Sequence, residues 1–216
     1  MKAITRGDPL WPARLAELPE PPEQLYLVGD PALLMMESVA VVGSRASTAY
    51  GDTMANMITA GLSTKYVIVA GGAFGIDAAA HRSALASNGK TIAVLPCGLD
   101  QRYPEANRSL LEQIVGQGGL LVSEYPPGTA PNRTHFLNRN RITAALAKGT
   151  VVVESRRLSG SLATARRAAE LNRPVMAVPG PVTSALSEGC HSLIREGATL
   201  VRTARDVMDV LEKSQL

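Results

Sequence analysis

The 216-residue sequence has few cysteines and no long hydrophobic run. No apolar stretch approaches the roughly 18 residues that a membrane-spanning helix needs, and the N-terminus lacks the apolar segment of a secretory signal. The two cysteines, Cys97 and Cys190, are too few and too far apart for a disulfide framework. They have no cluster of further ligands beside them, so we expect buried, inert thiols and no metal site. From the missing hydrophobic run we expect no membrane association. From the missing disulfide framework we expect a reducing cytoplasmic compartment.

A strong net charge is also lacking, but the basic residues are unevenly distributed. The net charge is only +3, whereas residues 131–173 contain nine Lys or Arg side chains against two acids. The rest of the chain is therefore mildly acidic. Such a basic segment favours a localised anion-binding surface, although solvated helix faces produce the same pattern.

Short β-branched runs alternate with amphipathic stretches along the chain, which is typical of an α/β fold. The predicted strands cover 39–42, 66–70, 91–95, 120–123, 150–154, 174–178 and 199–202. The predicted helices cover 50–62, 75–87, 107–115, 136–147, 161–171, 188–195 and 203–212. Uncharged strands such as VAVV and VVV indicate burial on both faces, so we predict a doubly wound, mainly parallel sheet with helices on both faces.

The first 37 residues do not follow this alternation. They contain the proline-rich stretch LPEPPE and several large apolar side chains that need burial, namely Trp11, Leu15, Leu18, Leu25, Tyr26 and Leu27. We therefore expect residues 1–37 to be a lead that packs on the sheet, and residues 38–216 to form the core domain.

Ligands of open α/β sheets collect where parallel strands end and helices begin, because free backbone N–H groups lie there. The first such junction reads Gly43-Ser44-Arg45, in which the glycine permits a tight turn and the arginine can pair with a phosphate. A purely structural turn is the alternative. The dinucleotide fingerprint G-x-G-x-x-G is absent, which argues against a nicotinamide oxidoreductase.

The second junction, AGGAFGID, contains three glycines. Gly72 and its neighbours either let backbone amides approach a bound group or let the following helix pack closely on the sheet. Asp77 is placed to cap that helix, and we interpret His81 as a hydrogen-bonding residue of the helix rather than a catalyst.

The strongest signal is Phe136-Leu-Asn-Arg139-Asn140-Arg141 at the start of a predicted helix, where fixed positive charge adds to the positive end of the helix dipole. Residues two apart differ by about 200° on a helix, so Arg139 and Arg141 cannot share a face. We expect one to bind a ligand while the other braces the fold. Arg141 and Lys148 do share a face, which allows a continuous basic stripe.

A last junction, from Glu154 to Ser161, resembles a small anion nest. Ser159 is a plausible helix cap and Ser161 follows it. Ordinary helix capping explains these serines equally well without a ligand.

Eight ordered blocks resemble the DprA/Smf family over about residues 10–202. They are VAVVGSR, GGAFGIDAAAH, TIAVLPCGLDQRYPEAN, LLVSEYPPGTAP, FLNRNRI, VVVESRRLSGSLATARRAAE, RPVMAVPG and EGCHSLIREGA. The resemblance implies an extended Rossmann-like fold, a basic pocket for single-stranded DNA and a role in delivering RecA during natural transformation or recombination. It also implies a homodimer through the later part of the sheet, beyond about residue 150. Because the sequence shows no activated nucleophile and no Ser-His or Cys-His pairing, we also expect no enzymatic activity and no cofactor.

In that family the glycine-serine-arginine turn and the arginine-asparagine-arginine segment line the pocket. The resemblance therefore assigns DNA contacts to six residues, Gly43, Ser44, Arg45, Arg139, Asn140 and Arg141. Ala70 replaces a serine that commonly precedes the glycine pair, and Leu137-Asn138 replaces a stretch that is often proline-basic. Gly72, Phe136, Ser159 and Ser161 complete the predicted DNA-binding set.

Two other functions fit parts of the sequence. The related lysine-decarboxylase-like nucleotide hydrolases use a glycine-rich loop with a threonine and a glutamate, for which Gly160, Thr164 and Glu170 are the local counterparts, without the proline-glycine-glycine entry. The other alternative is a general binder of RNA or duplex DNA. Because only eight residues are aromatic, with Phe74 and Phe136 as the candidates for stacking, we expect phosphate contacts to dominate binding.

A parallel sheet brings all its strand exits to one edge. We therefore predict that Arg45 and Arg139, almost a hundred residues apart in sequence, converge on one phosphate site.

Overall fold

A computed structural model describes residues 1–214, which form one nine-stranded sheet with helices on both faces. The strands are β1 (Lys2–Thr5), β2 (Gln24–Gly29), β3 (Ser38–Val42), β4 (Val67–Ala70), β5 (Thr91–Leu95), β6 (Leu120–Ser123), β7 (Thr150–Val152), β8 (Val175–Ala177) and β9 (Thr199–Leu200). The helices are α1 (Ala49–Leu62), α2 (Ile76–Ala86), α3 (Arg108–Gly116), α4 (Arg133–Leu146), α5 (Gly160–Glu170), α6 (Glu188–Arg195) and α7 (Ala204–Lys213). Three short 3₁₀ helices cover Ala13–Glu17, Pro31–Met35 and Glu105–Asn107.

The strand order in the sheet is β1-β2-β6-β5-β4-β3-β7-β8-β9. All neighbours from β6 to β9 pair in parallel, for example Val39 with Ile68 and Val41 with Val151. The two remaining pairings are antiparallel: β2 pairs with β1 on one side and with β6 on the other. The predicted α/β, mainly parallel, doubly wound fold is confirmed.

Helices cover both faces of this sheet. One face packs against α1, α2, α3 and α7, and its core includes Val41, Ile58, Ile68 and Leu211. The other face packs against α4, α5, α6 and the 3₁₀ helix Ala13–Glu17. The central strands β3 to β6 are buried along their whole length, which explains their uncharged sequences.

The N-terminal lead both packs on the sheet and extends it. Leu15, Leu18, Leu25 and Leu27 are buried, whereas Trp11 is only half-buried. Residues 2–5 and 24–29 add two antiparallel strands at one edge of the sheet that the sequence patterns did not predict. The first has only four residues, and the second lies beside the proline-rich stretch.

The direction in which the strands follow one another reverses between β3 and β7. Strands β4, β5 and β6 follow β3 toward one edge, whereas β7, β8 and β9 continue on its other side. The chain leaves β3 for α1 on one face and leaves β7 for α5 on the opposite face. Such a reversal opens a crevice between the two exits, which is where ligands bind in doubly wound folds.

Within residues 1–214, none of the helices is long and apolar enough to cross a membrane.

Candidate functional site

A cavity of about 720 Å³ opens at the crevice between the ends of β3 and β7. Eight of the ten predicted site residues line it, namely Gly43, Ser44, Arg45, Phe136, Arg139, Asn140, Ser159 and Ser161. Gly72 and Arg141 are not among the lining residues. The cavity therefore brings together the three junctions at residues 43–45, 136–140 and 159–161.

The loop after β3 forms one wall of the cavity. A Cβ on Gly43 would lie 2.6 Å from Cγ1 of Ile76, so the turn needs glycine. Gly75, at φ +67°, passes so close to the loop that a Cβ there would overlap the Ser44 carbonyl oxygen. Arg45 is exposed, and its guanidinium carbon lies 4.8 Å from the centre of the Phe136 ring, within cation–π distance.

Arg139 lies at the buried base of the same cavity, with 6% of its surface exposed. Its Nη1 donates to the Val94 carbonyl at 2.9 Å, and a Cβ on Gly71 would overlap the guanidinium. Burial lowers the pKa of Arg139, which the carboxylate of Asp77 opposes. An arginine nevertheless stays protonated in a protein, so Arg139 supplies a fixed charge beneath the cavity.

Asp77 is buried beside this arginine and does not cap α2 as predicted. Its Oδ2 accepts hydrogen bonds from the backbone N–H of Gly71 at 2.9 Å and of Ala73 at 3.4 Å, so it holds the glycine-rich loop instead. Burial raises the pKa of Asp77, while Arg139 and the two N–H groups act in the opposite direction. The acid and the arginine together form a charged base under the cavity.

The predicted basic stripe from Arg141 to Lys148 does not form. Helix α4 ends at Leu146, so Lys148 is no longer on the helix. Arg141 Nη2 lies 2.5 Å from Glu124 Oε1, and Lys148 Nζ lies 2.5 Å from Glu37 Oε1. Both cations are thus neutralised by acids that the sequence patterns did not assign to them.

The wall opposite Arg45 is the start of α5. Ser159 occupies the N-cap position, but its hydroxyl makes no capping hydrogen bond. The hydroxyls of Ser155, Ser159 and Ser161 instead lie 2.6–3.0 Å from one another. Asn140 Nδ2 donates to the Gly160 carbonyl at 3.3 Å and so ties α4 to this wall.

The cavity also has lining residues that were not in the predicted site. Among them are Asn132, Arg133, Leu137, Arg156 and Leu158. The two arginines belong to the basic segment that the sequence did reveal. Leu158, 91% exposed, and Leu137, 52% exposed, follow no periodicity that would have identified them. Among residues 1–214, none of Arg45, Arg133 and Arg156 lies within 4.0 Å of a carboxylate.

A smaller apolar recess lies beyond Arg45. Its lining includes Phe74, Pro96, Tyr103 and Phe136. The rings of Tyr103 and Phe136 meet edge to face with 5.8 Å between their centres, and Phe74 is 45% exposed. The site therefore combines unpaired cations with exposed aromatic and aliphatic surface.

The remaining reactive side chains are structural. His81 is buried with Nδ1 2.7 Å from Thr91 Oγ1, and burial lowers its pKa to about 3. Cys97 and Cys190 are buried free thiols, and burial raises the pKa of Cys190 to about 12. The predictions of a hydrogen-bonding His81 and of buried thiols are confirmed. In the part of the chain from 1 to 214, no group of three or more His, Cys, Asp or Glu residues could hold a metal ion.

The family of DNA recombination-mediator protein A matches residues 2–212 of the chain. The chain belongs to the DprA/Smf family. The DNA processing protein DprA of Streptococcus pneumoniae is 46% identical over 95% of this chain and 72% of that protein. Protein Smf of Escherichia coli is 41% identical over 97% of this chain and 56% of that protein. The chain thus spans little more than half the length of some DprA/Smf relatives.

Solved DprA structures have the same fold. That of Streptococcus pneumoniae superposes with a TM-score of 0.92 at 45% identity, covering 96% of this chain and 73% of that one. The structure of DNA processing protein A of Helicobacter pylori, which is described with a single-stranded DNA binding mode, superposes with a TM-score of 0.88 at 32% identity. The match covers 98% of this chain and 96% of that one. A molybdenum cofactor binding protein of Rippkaea orientalis shares the fold alone, at 14% identity and a TM-score of 0.58.

The different burial of the two predicted phosphate ligands leads to a stability prediction. Arg139→Ala leaves the buried Asp77 carboxylate without its neighbouring cation, so we expect a loss of about 3 kcal/mol in the free energy of unfolding. Arg45→Ala removes an exposed side chain, and we expect a change within about 0.5 kcal/mol. Urea denaturation of the two variants measures both values.

Asp77→Asn in the Arg139→Ala background is the control, because it removes the uncompensated charge. We expect the double variant to be more stable than the sum of the two single losses implies. Equal stability of Arg45→Ala and Arg139→Ala would contradict a bracing role for Arg139.

Proposed function

We propose that the chain is a recombination mediator that binds single-stranded DNA in the cavity between β3 and β7 and helps to load RecA on it. The observation that carries this proposal is the mixed character of one site. Arg45, Arg133 and Arg156 offer unpaired positive charge beside the exposed surface of Phe74 and Leu158. Single strands present phosphates and unstacked bases together, and proteins that bind them combine basic grooves with aromatic surface.

The relatives support this proposal independently. The family is that of DNA recombination-mediator protein A, and the Helicobacter pylori protein that matches nearly the whole chain has a single-stranded DNA binding mode. A duplex keeps its bases stacked inside, so the apolar part of this site would find no partner there. We also propose that the protein acts in the cytoplasm, and its two buried free thiols are compatible with such a reducing compartment.

The first functional prediction concerns salt. We expect the protein to bind a fluorescent oligothymidylate with an affinity that falls steeply as salt rises, because phosphate contacts release counterions. Arg45→Ala should weaken binding and reduce the slope of log K against log salt by about 0.7 for each phosphate that the variant no longer neutralises. Fluorescence anisotropy over a series of salt concentrations measures both effects.

Arg82→Ala is the matched control, because Arg82 is also exposed but does not line the cavity. It should leave affinity and slope unchanged. An unlabelled duplex should compete weakly, and RecA filament formation on the same oligonucleotide should be faster with the wild type than with Arg45→Ala. Salt-independent binding would overturn the proposed phosphate contacts, and equal competition by duplex would favour a general nucleic-acid binder.

We further propose that this site binds without turnover. The acids that a hydrolase could use are engaged or remote: Asp77 holds two backbone amides, Glu124 pairs with Arg141, and Glu170 pairs with Arg167 on the exposed end of α5. The carboxylate of Glu154 is likewise engaged, by the N–H and the hydroxyl of Thr48. A general acid or base must lie within hydrogen-bond reach of the reacting group.

Incubation with nucleoside monophosphates tests this second proposal directly. We expect no release of free base by chromatography, with or without magnesium. If the wild type releases free base and Asp77→Asn does not, the protein has the nucleotide hydrolase function instead.

We also propose a homodimer through the later part of the sheet. The edge strand β9 is exposed, with Leu200 at 45%, and it lies beside the half-buried Val210 of α7. An exposed strand edge with apolar side chains favours association. We expect sedimentation at micromolar concentration to give a dimer that Leu200→Lys converts to monomer. A monomeric wild type at that concentration would refute the dimer.

A further inference from the structure

An acidic residue, Glu154, lies close to the proposed site for a polyanion, although it is not among the residues that line the cavity. Glu154 lies two residues beyond the end of β7 and is 6% exposed. A carboxylate near a phosphate site weakens binding through charge repulsion. Glu154 therefore needs a role other than contact with the ligand.

Its hydrogen bonds all go to the loop that carries Arg45. The backbone carbonyl of Glu154 accepts the N–H of Ser44 at 2.8 Å. One carboxylate oxygen, Oε2, accepts the N–H of Thr48 at 2.8 Å, and the other, Oε1, accepts the Thr48 hydroxyl at 2.5 Å. The residue that follows β7 thus fastens the loop on both sides of Arg45.

The backbone around Glu154 is adapted to this contact. Glu154 has φ +57°, in the left-handed region that non-glycine residues rarely occupy. A Cβ on Gly51 in the first turn of α1 would overlap the Glu154 carboxylate. Glu154 thus combines an unfavourable backbone conformation with a close approach to a glycine, and both permit its contact with Thr48.

Two other contacts hold the loop without reaching across to β7. The Ser47 hydroxyl donates to Asp52 Oδ1 at 2.5 Å, and the N–H of Ile76 donates to the Ser44 carbonyl at 3.1 Å. Neither involves Thr48, whose hydroxyl also accepts the N–H of Gly51 at 3.2 Å as the N-cap of α1. Glu154 is therefore the side chain that connects the end of this loop to the segment after β7.

We propose that Glu154 is a positioning residue, which holds the Ser44–Thr48 loop so that Arg45 faces the cavity before any ligand arrives. Arg45 has no carboxylate partner among residues 1–214, so the loop backbone and the contact with the Phe136 ring determine where its charge is presented. A loop already ordered in its bound conformation avoids the entropy cost of ordering on binding. This inference rests on the proposed single-strand binding at Arg45.

The test compares Glu154→Ala and Glu154→Gln by anisotropy with a fluorescent oligothymidylate. Alanine removes both side-chain contacts with Thr48, and we expect affinity to fall by about 3- to 10-fold. Glutamine keeps an acceptor for the Thr48 N–H and can donate to its hydroxyl, so we expect it to retain most of the affinity. In the Arg45→Ala background, Glu154→Ala should have almost no further effect.

Thr48 provides a second pair of variants on the other side of the contact. Thr48→Ser keeps the hydroxyl and should bind as the wild type does, whereas Thr48→Val should lose affinity as Glu154→Ala does. If Glu154→Ala does not fold in a thermal melt, the Thr48 pair and Glu154→Gln carry the test on their own. The Arg45→Ala background again separates positioning from general destabilisation.

Three results would overturn the inference: wild-type affinity in both Glu154→Ala and Thr48→Val, tighter binding in both Glu154 variants, or an equal decrease in affinity with and without Arg45. Tighter binding would show that the carboxylate acts only through its charge. If the wild type itself does not bind the oligonucleotide, the proposed function fails. If Arg45→Ala weakens binding and the Glu154 and Thr48 variants do not, only the positioning role fails.

Discussion

The reversal of strand order between β3 and β7 is the constraint on which the site depends. Because the chain turns to opposite faces after these two strands, no helix fills the space between their ends. Three loops that are distant in sequence meet there. Each wall comes from a different junction, so the cavity exists only when the sheet is assembled around β3.

Charge in this crevice is divided by depth. Arg139 and Asp77 lie buried at its base, where Asp77 holds the glycine-rich loop and Arg139 donates to the Val94 carbonyl, while Arg45, Arg133 and Arg156 lie without acidic partners at its rim in the described structure. Buried ion pairs contribute little net stability, but removing one partner is costly. The base therefore behaves as scaffold and the rim as the surface available to an anion.

The sequence predicted the central sheet well, because burial on both faces leaves a plain signal. The predicted limits of the strands 91–95 and 120–123 agree with β5 and β6 at both ends. It predicted the place of the site for a related reason, since strand exits converge in any parallel sheet. It could not predict that Arg139 is buried, because this depends on Asp77, Val94 and Gly71, which only the fold brings near. The residue type alone predicted the charge of Arg141. Helix periodicity could not predict its ion pair with Glu124, because Glu124 lies outside the helix.

The antiparallel strand β2 has a consequence for synthesis of the chain. Its partner β6 follows it by almost a hundred residues, with Tyr26 opposite Ser123. A ribosome adds about 5–20 residues per second, so β2 waits roughly 5–20 s for its neighbour. During that interval Leu25 and Leu27, buried in the finished protein, have no sheet to cover them. The nascent N-terminal hairpin therefore exposes these two leucines until β6 has been synthesised.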